Sequence, residues 1–181
     1  QGQTLTADPA TIKDLDGIPT NAYSYQWQVS TDGTTWSNIT GAVGSNFTLT
    51  QDQVGKQVKV VVSYTDNYGT KESIESQPTS TIANVNDLPT GVVTISGIPA
   101  SGTPTQGQTL TADPSQIVDI DGIPSVSDPT AYSYQWRVLI NGTWTDIAAA
   151  NQKTFTLTQD QVGKQVKVVV SYTDNYNTKE S

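Results

Sequence analysis

FTLTQDQVGKQVKVVVSYTDNY, residues 47–68, returns unchanged at residues 155–176, and the pattern inside it decides the fold. Val58, Val60, Val62 and Tyr64 fall on alternate positions, the two-residue period of a strand with one buried face. Val61 puts an apolar group on the opposite face as well, which predicts a central strand. Thr65-Asp66-Asn67-Tyr68-Gly69 then closes the stretch as a hairpin turn, with Gly69 supplying a positive φ. The second copy has Asn177 at that place, the next most tolerant residue for the conformation.

Outward from this block, the repeat extends over the chain. QGQTLTADP (residues 1–9) recurs at 106–114, a shift of 105, whereas AYSYQW (22–27) recurs at 131–136, a shift of 109, and the long block is shifted by 108. Differing shifts mean small insertions, the largest being SVSDP after Pro124, and insertions belong in loops. Tyr23, Tyr25, Trp27 and Val29 alternate with Ser24, Gln26 and Gln28, predicting a half-buried strand. Further strands are expected at residues 4–7, 47–50 and 36–39, with first and last strands at 92–96 and 79–85. About seven short strands per copy, with an inward Trp on the third, predict an all-β chain of two tandem immunoglobulin-like β-sandwich modules joined by a short linker. The expected modules are residues 1–85, lacking a first edge strand, and 86–181, lacking a last one. Open sheet edges of this kind invite strand addition, so strand sharing with adjacent molecules is one expectation. The other is a longer array of neighbouring repeats of the same protein.

Composition agrees and excludes several functions. Among 181 residues, 34% are hydrophobic and 14% charged, and Val, Thr and Tyr rather than helix formers carry the long runs. Seventeen acidic residues against nine basic give a net charge of −8, a field that repels nucleic acid and anionic lipid and attracts cations. No Cys is present, so there is neither a disulfide framework nor a thiolate metal site. No apolar run approaches the ~20 residues of a spanning helix, so direct membrane insertion is not expected. Gln1 does not open a signal peptide; an export signal elsewhere, or excision from a longer chain, is expected. No His is present either, which removes Ser-His-Asp, Cys-His and His-zinc chemistry and leaves only carboxylates for catalysis. Asp14 and Asp16 are two apart in one turn, a poor spacing for a glycosidase pair facing each other across a cleft, so no enzyme is expected.

The acidic residues gather in loops at matching places. Asp14-Leu15-Asp16-Gly17 corresponds to Asp119-Ile120-Asp121-Gly122, Asp66-Asn67 corresponds to Asp174-Asn175, and Asn86-Asp87-Leu88-Pro89 lies between the copies. Calcium takes roughly six to eight oxygen ligands, so a D-x-D-G loop beside a second acidic loop can build a cage for it. Asp and Gly are also simply good turn formers, and that explanation stays open. A rival binding function is carbohydrate stacking on exposed Trp36 or Trp144 and Tyr68 or Tyr176, against which the indoles could equally pack beneath the short strand.

Taken together, VNDLPTG, VTISG, QGQTLTA, D-x-D-G, YQW and GKQVKVVVSYTD, in this order and at a period near one hundred residues, resemble the tandem immunoglobulin-like extender modules of giant RTX adhesins secreted by type I systems. The resemblance covers essentially the whole chain. It implies an extracellular, bacterial cell-surface spacer serving cell adhesion or biofilm formation, with Ca2+ stiffening the module ends. On the matching positions it implies Asp14, Asp16, Asp66, Asn86 and Asp87 as metal ligands, with Asp119, Asp121 and Asp174 repeating the pattern. The linker is similar to cadherin linkers but lacks their dense acidic surroundings.

Overall fold

The computed structural model describes residues 1–128 and 130–181. Of the expected insertion SVSDP, Ser125 to Asp128 form a turn and the rest lies outside the described residues. Among the described residues the chain is all-β, with antiparallel sheets and only two single-turn 3-10 segments, and it divides into two units, Gln1–Val85 and Asn86–Ser181. No helix among the described residues is long and apolar enough to cross a membrane.

In unit 1, β1 (Thr4–Thr6), β2 (Ser24–Ser30), β3 (Ser37–Asn38), β4 (Asn46–Thr48), β5 (Gln57–Thr65) and β6 (Lys71–Glu75) form a four-stranded sheet ordered β3-β2-β5-β6 and a two-stranded sheet β1-β4. The period-two pattern does what it implies. Val58, Val60, Val62 and Trp27 are buried, and Tyr23, Tyr25 and Val29 pack against them, meeting Leu5, Ala7, Phe47 and Leu49 from the β1-β4 side. This is the two-layer packing of a β-sandwich. Trp27 stacks on Phe47 with ring centroids 5.6 Å apart, and its indole N–H donates to the Gly44 carbonyl at 2.9 Å, so the largest core side chain leaves no polar atom unpaired.

Unit 2 repeats the plan with β7 (Thr94–Ser96), β8 (Thr109–Asp113), β9 (Tyr132–Ile140), β10 (Thr143–Asp146), β11 (Thr154–Thr156), β12 (Val166–Thr173) and β13 (Lys179–Glu180). Its sheets are ordered β10-β9-β12-β13 and β11-β8-β7. Trp136 stacks on Phe155 at the same 5.6 Å and donates to the Gln152 carbonyl at 2.9 Å. The hairpin turns come out as the sequence indicates, with φ of 89° at Gly69 and 67° at Asn177.

One expected strand is not regular. Residues 79–85 form no ladder strand, although the Thr79 N–H donates to the Val58 carbonyl and that of Ile82 to the Lys56 carbonyl. Pro78 has no N–H to give, and the Ser76 and Thr79 hydroxyls take the place of main-chain acceptors for the Val60 and Val58 amides. Sequence patterning also misses a 3-10 turn, Gln51–Gln53, and its copy Gln159–Gln161. Each is capped by a Thr whose hydroxyl receives a backbone N–H while a Gln three residues on reaches back to the Thr N–H.

Candidate metal centre

Each D-x-D-G loop is an Asx turn. Asp14 Oδ1 accepts the Asp16 N–H at 2.9 Å, and Asp119 Oδ1 accepts that of Asp121 at 2.9 Å. The following glycine has φ of 81° at Gly17 and 95° at Gly122. A Cβ there would collide with the side-chain amide of Asn67 or Asn175 respectively, so the glycine is what lets the second acidic turn close onto the first. The pairing of D-x-D-G with the YTDN turn expected from sequence is therefore present in both units.

Tyrosines at the end of the central strand add a tie that sequence inspection missed. The Tyr64 hydroxyl donates to Asp14 Oδ2 at 3.0 Å, and the Tyr172 hydroxyl donates to Asp119 Oδ2 at 2.6 Å. Burial, and then the bond to Asp14 and its charge, push the Tyr64 phenol up to about 12. Tyr172 is raised by the same causes. The second turn is held by Asp66, whose Oδ1 accepts the N–H groups of Tyr68 at 2.9 Å and Thr70 at 2.7 Å, and Asp174 does the same for Tyr176 and Thr178. Burial alone would raise Asp66, but the bonds from Thr70, Tyr68 and Gly69 outweigh it and hold the carboxyl below its ordinary value.

The two units differ in what covers these loops. In unit 1, Asp16 and Glu72 are exposed. At the corresponding places in unit 2, Asp121 is 1% exposed and Glu180 is 6% exposed. The cover is the leading segment of unit 2. The Asp87 N–H donates to Asp121 Oδ2 at 2.7 Å, and the Asn86 side-chain amide donates to Glu180 Oε1 at 2.9 Å. Asp66 and Asp174 are equally buried, at 5% and 6% exposure, and Asp174 Oδ2 is buried without a hydrogen-bond partner.

Unit 2 thus brings Asn86, Asp87, Asp119, Asp121 and Asp174 to adjoining loops and adds Glu180, which the sequence did not single out. Unit 1 brings Asp14, Asp16 and Asp66 to one end. Salt bridges join Lys59 to Glu75 and Arg137 to Asp146. A buried carboxylate oxygen without a partner, as Asp174 Oδ2 is, is the kind of atom a hard cation takes. On that observation the residues fit calcium. Among the described residues, no three acidic side chains are grouped so as to hold a metal ion.

The indoles put forward for sugar stacking are half-buried. Lys59 Nζ lies 4.6 Å from the Trp36 ring centroid, and Lys167 Nζ lies 4.6 Å from that of Trp144. A lysine therefore occupies one face of each ring.

A family model described as a domain of unknown function, DUF8696, matches residues 3–84. No curated protein matches the chain. A solved structure reported as structural insight into host cell surface retention of a 1.5-MDa bacterial ice-binding adhesin is similar at 14% identity and a TM-score of 0.32, over 87% of this chain and 50% of that one. The chain thus spans about half the length of that structure.

Proposed function

We propose that the chain is a non-enzymatic extender of a bacterial cell-surface adhesin. In this account it is two tandem immunoglobulin-like modules, placed outside the cell and stiffened by calcium at the module ends, that hold a distal binding region away from the surface for adhesion or biofilm formation. The observation that carries the calcium part is the burial of Asp121, Asp174 and Glu180 in unit 2, with Asp174 Oδ2 left without a hydrogen-bond partner. Tandem near-identical modules, the order of their motifs and the absence of His and Cys support a mechanical rather than a chemical role.

Asn86, Asp87, Asp119, Asp121 and Asp174, joined by Glu180, would hold the ion in unit 2, and Asp14, Asp16 and Asp66 would supply the corresponding group in unit 1. A bound calcium ion would supply positive charge beside the buried carboxylates. Tyr172 holds Asp119 and Asp174 holds its own turn, so these loops are fixed before binding. Asn86 and Asp87 directly follow Val85 in sequence, so ligation there restricts the chain where one unit gives way to the next. Small-angle scattering in calcium and in chelator tests the stiffening. A narrower spread of interatomic distances in calcium is expected; superimposable curves remove the calcium part and leave the spacer role standing.

A further inference from the structure

Asn141-Gly142 is the one place in the chain where glycine follows asparagine. Glycine has no side chain to shield its main-chain nitrogen, so that nitrogen has the least hindered approach to the side-chain carbonyl of the residue before it. The dipeptide is the whole loop between β9 and β10, with Ile140 paired to Thr143 across it. Its φ values are 49° at Asn141 and 81° at Gly142, both positive, as a two-residue hairpin turn of type I′ requires. Both residues are exposed, and a Cβ on Gly142 would meet nothing within 4 Å. Water reaches the turn freely, so the backbone conformation decides whether the pair reacts.

Ring closure between the two needs Cγ of Asn141 over the Gly142 nitrogen, with Cβ and that nitrogen on the same side of the Cα–C bond. In the left-handed region ψ is about +47°. For an L residue that angle turns Cβ to the far side of the bond from the following nitrogen. The hairpin therefore holds apart two atoms that the sequence makes neighbours. β10 is at the edge of its sheet, joined to β9 alone, so a local opening that frees the turn needs the loss of one ladder only.

We propose that Asn141 is a self-modification site gated by this hairpin, inert while β10 lies on β9 and converted to aspartate and isoaspartate when the two part. In the first step the Gly142 nitrogen bonds to Cγ of Asn141 and the Cγ–Nδ2 bond breaks. Nδ2 leaves as ammonia, taking the Gly142 amide proton with it. In the second step water adds to one carbonyl carbon of the five-membered imide, that carbon's bond to the Gly142 nitrogen breaks, and the nitrogen regains a proton. Addition at Cγ gives aspartate. Addition at the main-chain carbon gives isoaspartate, whose chain runs through the former side chain and is one carbon longer. Both products carry a new negative charge, and the longer chain no longer fits a loop whose length sets the pairing of Ile140 with Thr143. An opening long enough to react is thereby recorded in covalent form. The reaction is independent of ion binding and of the extender role.

The test incubates the 181-residue chain in mildly alkaline buffer, with and without denaturing urea, and follows aspartate and isoaspartate at position 141 by peptide mass mapping. Conversion is expected to be about tenfold or more faster in urea, because the reactive state is populated only when the hairpin opens. Asn38, Asn46 and Asn151, each followed by a larger residue, serve as references in the same digest and are expected to convert far more slowly than Asn141 in urea. Thr143→Pro removes a ladder donor from an edge strand and leaves the dipeptide intact, so it is expected to speed conversion several-fold in buffer while circular dichroism still shows a folded chain. Three results overturn the proposal: equal conversion of the parent chain in buffer and urea, no preference for Asn141 over the reference asparagines in urea, or a folded Thr143→Pro chain that converts no faster than the parent. An unfolded Thr143→Pro chain leaves the first two comparisons to decide.

Discussion

The N–H of Asp87 donates to Oδ2 of Asp121 at 2.7 Å, tying the first residues of unit 2 to its D-x-D-G loop and burying a carboxylate whose counterpart in unit 1, Asp16, is exposed. The loops are nearly the same in sequence, so it is the segment laid over them that turns a solvated turn into a buried acidic group.

Asp121→Asn and Asp174→Asn separate ligand from turn former. Both amides keep an oxygen that can accept the local N–H bonds, so the fold is retained, while the charge the cation answers is lost. Calorimetric titration with calcium is expected to show at least one class of sites weakened about tenfold or more in each variant. Asp14→Asn, in unit 1, is expected to leave that class unchanged.

Gly122→Ala puts a side chain at a φ of 95° and into the Asn175 amide, so the two acidic turns must part. A stability loss on the order of 1–3 kcal/mol is expected from the backbone conformation alone. Urea unfolding measures it, and calcium affinity in the folded variant is expected to fall with it.

Trp136 is fully buried, stacked on Phe155 and bonded to Gln152. Trp136→Ala is expected to cost about 3–5 kcal/mol, enough to unfold unit 2 or leave it marginal. Trp144→Ala, which removes a half-buried ring beneath a lysine, is expected to cost far less, and thermal melts of the two variants make the comparison.

Acid and alkali act through different groups. Asp32 is held low by backbone N–H bonds from Thr35 and Thr34 and by the Ser30 hydroxyl, and Asp66, Asp113 and Asp128 are also lowered. A depressed carboxyl stabilises above its unfolded value, near 4, and that contribution disappears as pH falls through the lower folded value. Stability is expected to drop below about pH 4, less steeply in Asp32→Asn. Tyr64 has the opposite sign. Its raised phenol stabilises fully below the unfolded value near 10 and loses that contribution as pH rises through about 12, so alkaline unfolding begins in that window and is weakened in Tyr64→Phe.

Alternation was enough to place β2, β5 and their copies, because a strand with one wet face writes its burial into every second residue, as Val58 to Tyr64 do. The D-x-D-G turns were legible through their glycines. Residues 79–85 were not, because Pro78 and the serine and threonine hydroxyls replace a regular ladder with side-chain bonds that leave no period. Glu180 was missed for a related reason. It differs from Glu72 only in having Asn86 over it, 94 residues away along the chain, and nothing local in its neighbourhood records that contact.

Scanning calorimetry of the chain in calcium and in chelator addresses the calcium-stiffened extender most directly. Because an ion that binds only the assembled loops stabilises them by about 2.7 kcal/mol at 100 times its dissociation constant, the transition of unit 2 is expected to rise by on the order of 10 °C in calcium. Superimposable transitions in calcium and chelator would contradict the account.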